Sequence, residues 1–89
     1  MAWTIDLSDA ADKTLRKISK SDAKRIAGFL YQRVTALDNP RQLGQALQGS
    51  KLGDLWRYRV GDFRVLCKIQ DSRLVVLVIE IGHRRDIYR

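Results

Sequence analysis

The chain has 89 residues, with 17 Lys and Arg against 10 Asp and Glu and a net charge of +7, so it has room for one domain, 1–89, whose field favours polyanions such as nucleic acid, an acidic protein or a membrane surface. It has no apolar run of about 18 residues and no charged-then-apolar leader, which excludes a spanning helix and a secretory signal and sets the expectation of a cytoplasmic protein. A single cysteine, Cys67, excludes an internal disulfide; without CxxC or Cys/His spacing around it, it reads as a small buried apolar residue in a strand.

Residues 2–7 alternate, with Trp3, Ile5 and Leu7 on one side and Thr4 and Asp6 on the other, and predict a short half-buried strand. Ser8 can cap a first helix that carries Asp9 and Asp12 in its opening turn, buries Ala11, Leu15 and Ile18, and ends near Ser19. Ser21 and Asp22 open a second helix, in which Ile26, Phe29, Leu30, Val34 and Leu37 recur at helical spacing until Asp38, Asn39 and Pro40 stop it. The basic residues of this helical hairpin, Lys13, Arg16, Lys17, Lys20, Lys24, Arg25 and Arg33, read as a solvated surface. Residues 41–54 read as a packed loop that can hold one helical turn, and strands follow over 55–60, 63–69 and 74–81. The expected fold is α+β: an N-terminal strand, a two-helix hairpin and a three-stranded antiparallel meander, with both helices on one face of the sheet.

Gly61 and Asp62 form a two-residue gap suited to a tight hairpin turn, and this fixes a register in which Val60 faces Phe63, Arg59 faces Arg64, Tyr58 faces Val65, Arg57 faces Leu66 and Trp56 faces Cys67. The face bearing Trp56, Tyr58, Val60, Phe63, Val65, Cys67 and Ile69 must meet the helices, so Arg57, Arg59, Arg64 and Lys68 point away from them. Arginines placed opposite each other destabilise a ladder unless an anion lies over them, and the alternative is that they simply splay into water. Asp54 and Asp62 sit at strand ends and not between the arginines.

If Asp71 and Ser72 form a two-residue turn, the register carries Ile79, Ile81 and His83 to the parity of Arg64 and places His83 beside the basic face; a longer turn would reverse that inference. His83 is the single histidine and the side chain suited to moving a proton near neutrality; its alternative role is that of a surface histidine in a basic tail. No Ser/His/Asp triad, phosphate-cradling glycine loop or carboxylate cluster for magnesium can be picked out, so no metal or cofactor is expected. RNA supplies its own nucleophile, the 2′-hydroxyl, and asks of a protein only orientation, proton movement and charge neutralisation.

The element order, together with Leu47-Gln48-Gly49, Trp56-Arg57-Tyr58-Arg59, Phe63-Arg64-Val65-Leu66 and the ending Gly82-His83-Arg84-Arg85-Asp86-Ile87-Tyr88, resembles the RelE/ParE toxin superfamily across essentially the whole chain. For RelE-type members the resemblance implies a toxin of a bacterial toxin–antitoxin pair that cuts mRNA in the ribosomal A site by 2′-hydroxyl attack, without metal. It implies that Arg64 stabilises the transition-state phosphate, that Arg84 is the arginine after the last strand, and that Tyr88 stacks on a base. Arg57 and Arg59 stand where well-known members carry lysines; guanidinium clamps phosphate but is a poor base, which leaves His83 as the candidate proton carrier. Lys51, Lys68, Arg85 and Arg89 are candidate RNA contacts. The expected partners are a cognate antitoxin and the mRNA-bearing ribosome. The alternatives are a ParE-like member that is not a nuclease and binds DNA gyrase, and a nucleic-acid-binding module without catalysis.

Overall fold

The computed structural model describes residues 3–47 and 55–83. Strand β1 (Thr4–Leu7) leads through Ser8 into helix α1 (Asp9–Lys17); the Ser8 hydroxyl accepts from the Ala11 N–H at 3.1 Å, and Asp9 and Asp12 occupy the first turn as the dipole favours. Helix α2 (Lys20–Gly28) starts earlier than Ser21 because Ser19 is its cap, accepting from the Asp22 N–H at 3.2 Å. It runs on as a π-helical turn over Phe29–Val34. The stripe Ile26, Leu30 and Val34 is fully buried, each side chain contributing about 1.5–3 kcal/mol of apolar transfer.

Asn39 and Gln42 then form a capping box around a 3-10 turn at Pro40–Gln42. A strand that the sequence does not announce follows, β2 (Gln45–Ala46), paired antiparallel with β3 (Leu55–Val60). Two exposed residues carry no alternation from which a strand could be inferred. Strand β4 (Phe63–Gln70) and strand β5 (Val75–His83) complete a five-stranded sheet of order β1-β5-β4-β3-β2, in which β1 lies parallel to β5 and the other pairs are antiparallel. Trp3, Ala11, Ile26, Leu30, Val34, Tyr58, Val60, Val65, Cys67, Val76, Val78 and Ile81 form one core between sheet and helices. Burial pushes the Cys67 thiol up to about 12, which keeps it protonated and inert, in keeping with its reading as a core residue. No helix among the described residues is long and apolar enough to cross a membrane.

The β3–β4 register is the one the Gly61-Asp62 turn requires, from Val60 opposite Phe63 to Trp56 opposite Cys67, with Gly61 at φ +60. The β4–β5 connection departs from expectation. Its turn is a 3-10 turn at Asp71–Arg73 closed by Leu74 in the left-handed region, so that Gln70 pairs with Val75. Two-residue and four-residue connections give the same parity, and this change alone moves nothing across the sheet. A β-bulge does: Cys67 pairs with Val78 but Leu66 pairs with Glu80, leaving Ile79 as the extra residue and reversing every later position of β5.

Ser8 holds the bulge in place. Its hydroxyl donates to the Ile79 carbonyl and its N–H donates to the Val78 carbonyl at 2.9 Å. Ser8→Ala removes the helix cap and the hydroxyl half of this clasp, and should lower the stability read from urea denaturation by about 1–2 kcal/mol.

Candidate nucleic-acid interface

The ladder sets two rows across the face of the sheet turned away from the helices. One runs Arg57, Leu66, Glu80; the next runs Arg59, Arg64, Gly82. Arg59 and Arg64 are thus direct cross-strand partners, and Arg57 follows one side-chain repeat along β3. Arg59 is exposed, whereas Arg64 is only 7% exposed and so does not splay into water as a merely solvated arginine would. Arg57 is positioned from the sheet edge, where its Nη2 donates to Gln45 Oε1 at 2.8 Å.

These three arginines line a cleft of about 420 Å³ together with Tyr58, Leu43, Gly44, Gln45, Phe29 and Arg33. The lining residues come from both faces of β3, so the cleft wraps round its outer edge. Two hydrogen bonds fix that edge. The Trp56 indole donates to the Leu43 carbonyl at 2.7 Å, and the buried Tyr58 hydroxyl donates to the Pro40 carbonyl at 2.6 Å, which ties residues 40–43 down onto β3. Burial raises the Tyr58 phenol far above its ordinary value, so it serves as a fixed donor and not as an acid or base. Gly44, at φ +81, packs so close that a Cβ there would overlap the Arg57 carbonyl.

His83 does not join this group, which corrects the sequence-based placement. It pairs with Phe63 while Gly82 pairs with Arg64, and its ring meets the Phe63 ring edge-on at a centroid distance of 5.5 Å on the helix-facing side. The bulge at Ile79 is the physical reason, since without it the parity would have delivered His83 to the arginines. The same half-step delivers Glu80, exposed, to the basic face, where the sequence showed no acid among the arginines.

Lys68 shares the face of Arg64 but lies four residues along β4, roughly 13 Å away, between Leu55 and Leu77 and beside a separate depression lined also by Arg41, Trp56 and Asp71. Bidentate hydrogen bonds of 2.9 Å join Arg41 to Asp71 there, and they hold the Asp71 carboxyl below the usual range. Lys51, Arg84, Arg85, Tyr88 and Arg89 lie outside the described residues. Conversely, Phe29 and Arg33 enter the cleft although the sequence assigned Arg33 to the solvated helix surface. Their i,i+4 spacing shows that they are neighbours on the helix, but which strand edge they approach is set by tertiary packing.

A helix-backed sheet whose opposite face and edge gather arginines into one cleft is an α+β domain with a strongly basic cleft. The sequence profile of the ParE toxin of type II toxin–antitoxin systems matches residues 5–88, and the chain belongs to that family within the RelE/ParE superfamily. Toxin RelG of Mycobacterium tuberculosis is 26% identical over 89 residues, covering 100% of this chain and 99% of its own. Among solved structures, the RelBE2 toxin–antitoxin complex of Mycobacterium tuberculosis contains a chain with a TM-score of 0.83 at 22% identity, covering 97% of this chain and 95% of that one. The isolated E. coli RelE toxin gives a TM-score of 0.72 at 21% identity, covering 98% and 92%. The RelE–RelB complex of Pyrococcus horikoshii gives 0.75 at 23%, covering 97% and 99%. The protein is thus a type II toxin built on the RelE fold.

Proposed function

We propose that this toxin is a ribosome-dependent endoribonuclease that cuts mRNA in the A site without a metal ion. The observation that carries the reading is the opposed pair Arg59 and Arg64, with Arg57 beside it, in one cleft. In the reaction the 2′-oxygen attacks phosphorus and loses its proton, the bond to the 5′-oxygen breaks and that oxygen gains a proton, and a 2′,3′-cyclic phosphate remains. Three guanidinium groups supply what the phosphorane needs most, fixed positive charge where negative charge grows. Arg84 and Tyr88 complete the site in this reading as a further phosphate contact and a base-stacking ring, with Lys51, Lys68, Arg85 and Arg89 as outer contacts to RNA. A cognate antitoxin is the protein partner, as in the toxin–antitoxin complexes of the relatives, and the site of action is the cytoplasm, where ribosomes are.

His83 stands behind the sheet and takes a packing role here. His83→Phe keeps the ring against Phe63 and removes the ring nitrogens; cleavage should stay near the wild-type rate, against the ~10²–10⁴-fold loss expected of a general acid or base. A loss of that size in a purified ribosome assay would return His83 to the chemistry.

The reading is tested by incubating programmed ribosomes with the protein and mapping the mRNA 3′ ends. Cuts within the A-site codon ending in 2′,3′-cyclic phosphate, with free mRNA left intact, are expected. The family match to ParE toxins favours one other outcome, in which mRNA survives and the protein instead inhibits DNA gyrase supercoiling; that outcome would sink the ribonuclease reading.

A further inference from the structure

The exposed side chain of Arg33 has no carboxylate partner among the described residues, and its guanidinium carbon lies 6.0 Å from the centroid of the Phe29 ring. Phe29 in turn meets the buried ring of Tyr58 edge-on, at 5.5 Å and 62°. Core, ring and cation thus form a chain of contacts, anchored at one end by the Tyr58 bond to Pro40 and ending at the other in a cation that lines the arginine cleft. A volume of about 420 Å³ falls in the ~300–1,000 Å³ range that takes a small organic ligand. The cleft has a polar end, Arg57, Arg59 and Arg64, suited to phosphate, and a second end, Phe29 and Arg33, whose surfaces suit the face of a base, because unstacked bases dock on aromatic rings and on guanidinium planes.

We propose that Phe29 and Arg33 form a subsite for the base of the nucleotide next to the scissile phosphate, so that one RNA unit fills the cleft with its phosphate on the strand arginines and its base on the helix. The proposal rests on the ribonuclease reading and adds to it a positioning residue. Arg33 touches a base distant from the reacting atoms and holds the strand in place, while the chemistry stays with Arg57, Arg59 and Arg64. Stacking tolerates any base, so the subsite contributes affinity and register without sequence preference.

The test uses the whole protein on programmed ribosomes, with mRNAs carrying an abasic residue on either side of the mapped cut. Arg33→Ala should raise KM by about tenfold, the loss of one stacked base, and change kcat by less than about twofold. Arg33→Lys should behave like Arg33→Ala, since lysine keeps the charge but has no plane. On the mRNA abasic at one of the two positions, wild type and Arg33→Ala should have the same KM. If Arg33→Lys equals wild type, or if the effects of the variant and of both abasic sites simply add, the subsite is overturned while the ribonuclease reading stands. If the wild type leaves every mRNA uncut, the ribonuclease reading fails first and the subsite with it.

Discussion

Replacing Arg64 by Ala should reduce mRNA cleavage on programmed ribosomes by about 10²–10³-fold, the cost of removing one fixed donor from a developing oxyanion. Arg64 is central to the face, with Arg59 directly across one ladder and Gly82 across the other, and its low exposure fixes the direction of its guanidinium. Because it faces away from the helices, truncation should leave the fold intact. Two terms oppose each other: loss of the buried stem destabilises, and relief of repulsion from Arg59 stabilises. The net change should be within about 1 kcal/mol, or about 4–8 °C in Tm for a domain of this size. Arg64→Lys separates charge from shape, since a point charge cannot bridge two phosphate oxygens as a guanidinium does, and it should recover only a small part of the lost rate. Wild-type cleavage by Arg64→Ala, or a collapse of its cooperative melt, would show that Arg64 is a structural residue.

Gly44→Ala should cost more stability than a methyl group added at Gly28 or Gly61. At φ +81 an L side chain is strained, and the added Cβ would overlap the Arg57 carbonyl while approaching Trp56 Nε1 to 2.7 Å and Tyr58 Cδ1 to 2.8 Å. Backbone strain of about 1–3 kcal/mol combines with an overlap that a strand carbonyl cannot yield to, for a total near 3 kcal/mol and a fall in Tm of roughly 12–24 °C. Gly61→Ala is the control. Its φ of +60 is also unfavourable, but the nearest atoms belong to the flexible Arg25 side chain, the closest at 3.1 Å; the expected cost is about 1 kcal/mol. Equal melting temperatures for the two variants would mean that residues 43–46 do not bear on β3 as described.

The difference between these glycines shows what the sequence can and cannot convey. Gly61 is legible because a two-residue gap between strand patterns demands a turn, and the turn then fixes six cross-strand pairs, Arg59 with Arg64 among them. The cap at Ser8, the stripe Ile26, Leu30, Val34 and the buried Cys67 are legible for the same reason: each follows from spacing within one segment. Gly44 is not, because its role depends on a strand edge more than ten residues further along the chain. Arg33 is hidden likewise, its partner Phe29 being visible but the cleft that both enter being assembled from four separate segments. Counting parity through β5 from a two-residue turn sends His83 to the arginine side, since nothing in Val75–His83 marks Ile79 as the residue to be skipped. The clasp from Ser8, distant by 71 positions, determines it.

That skipped residue divides β5 into two halves with separate obligations. The half before it lies along β1 and under α1, where Val76 and Val78 must stay buried; the half after it borders Arg64 and Phe63. Deleting Ile79 would close the bulge and leave the second half in place, with Glu80 still opposite Leu66 and Gly82 still opposite Arg64. A flattened bulge that kept Ile79 would bring Ile81 and His83 to the cleft side instead. The bulge, and not the length of β5, therefore decides which side chains border Arg64, while the half that walls the core keeps its register either way.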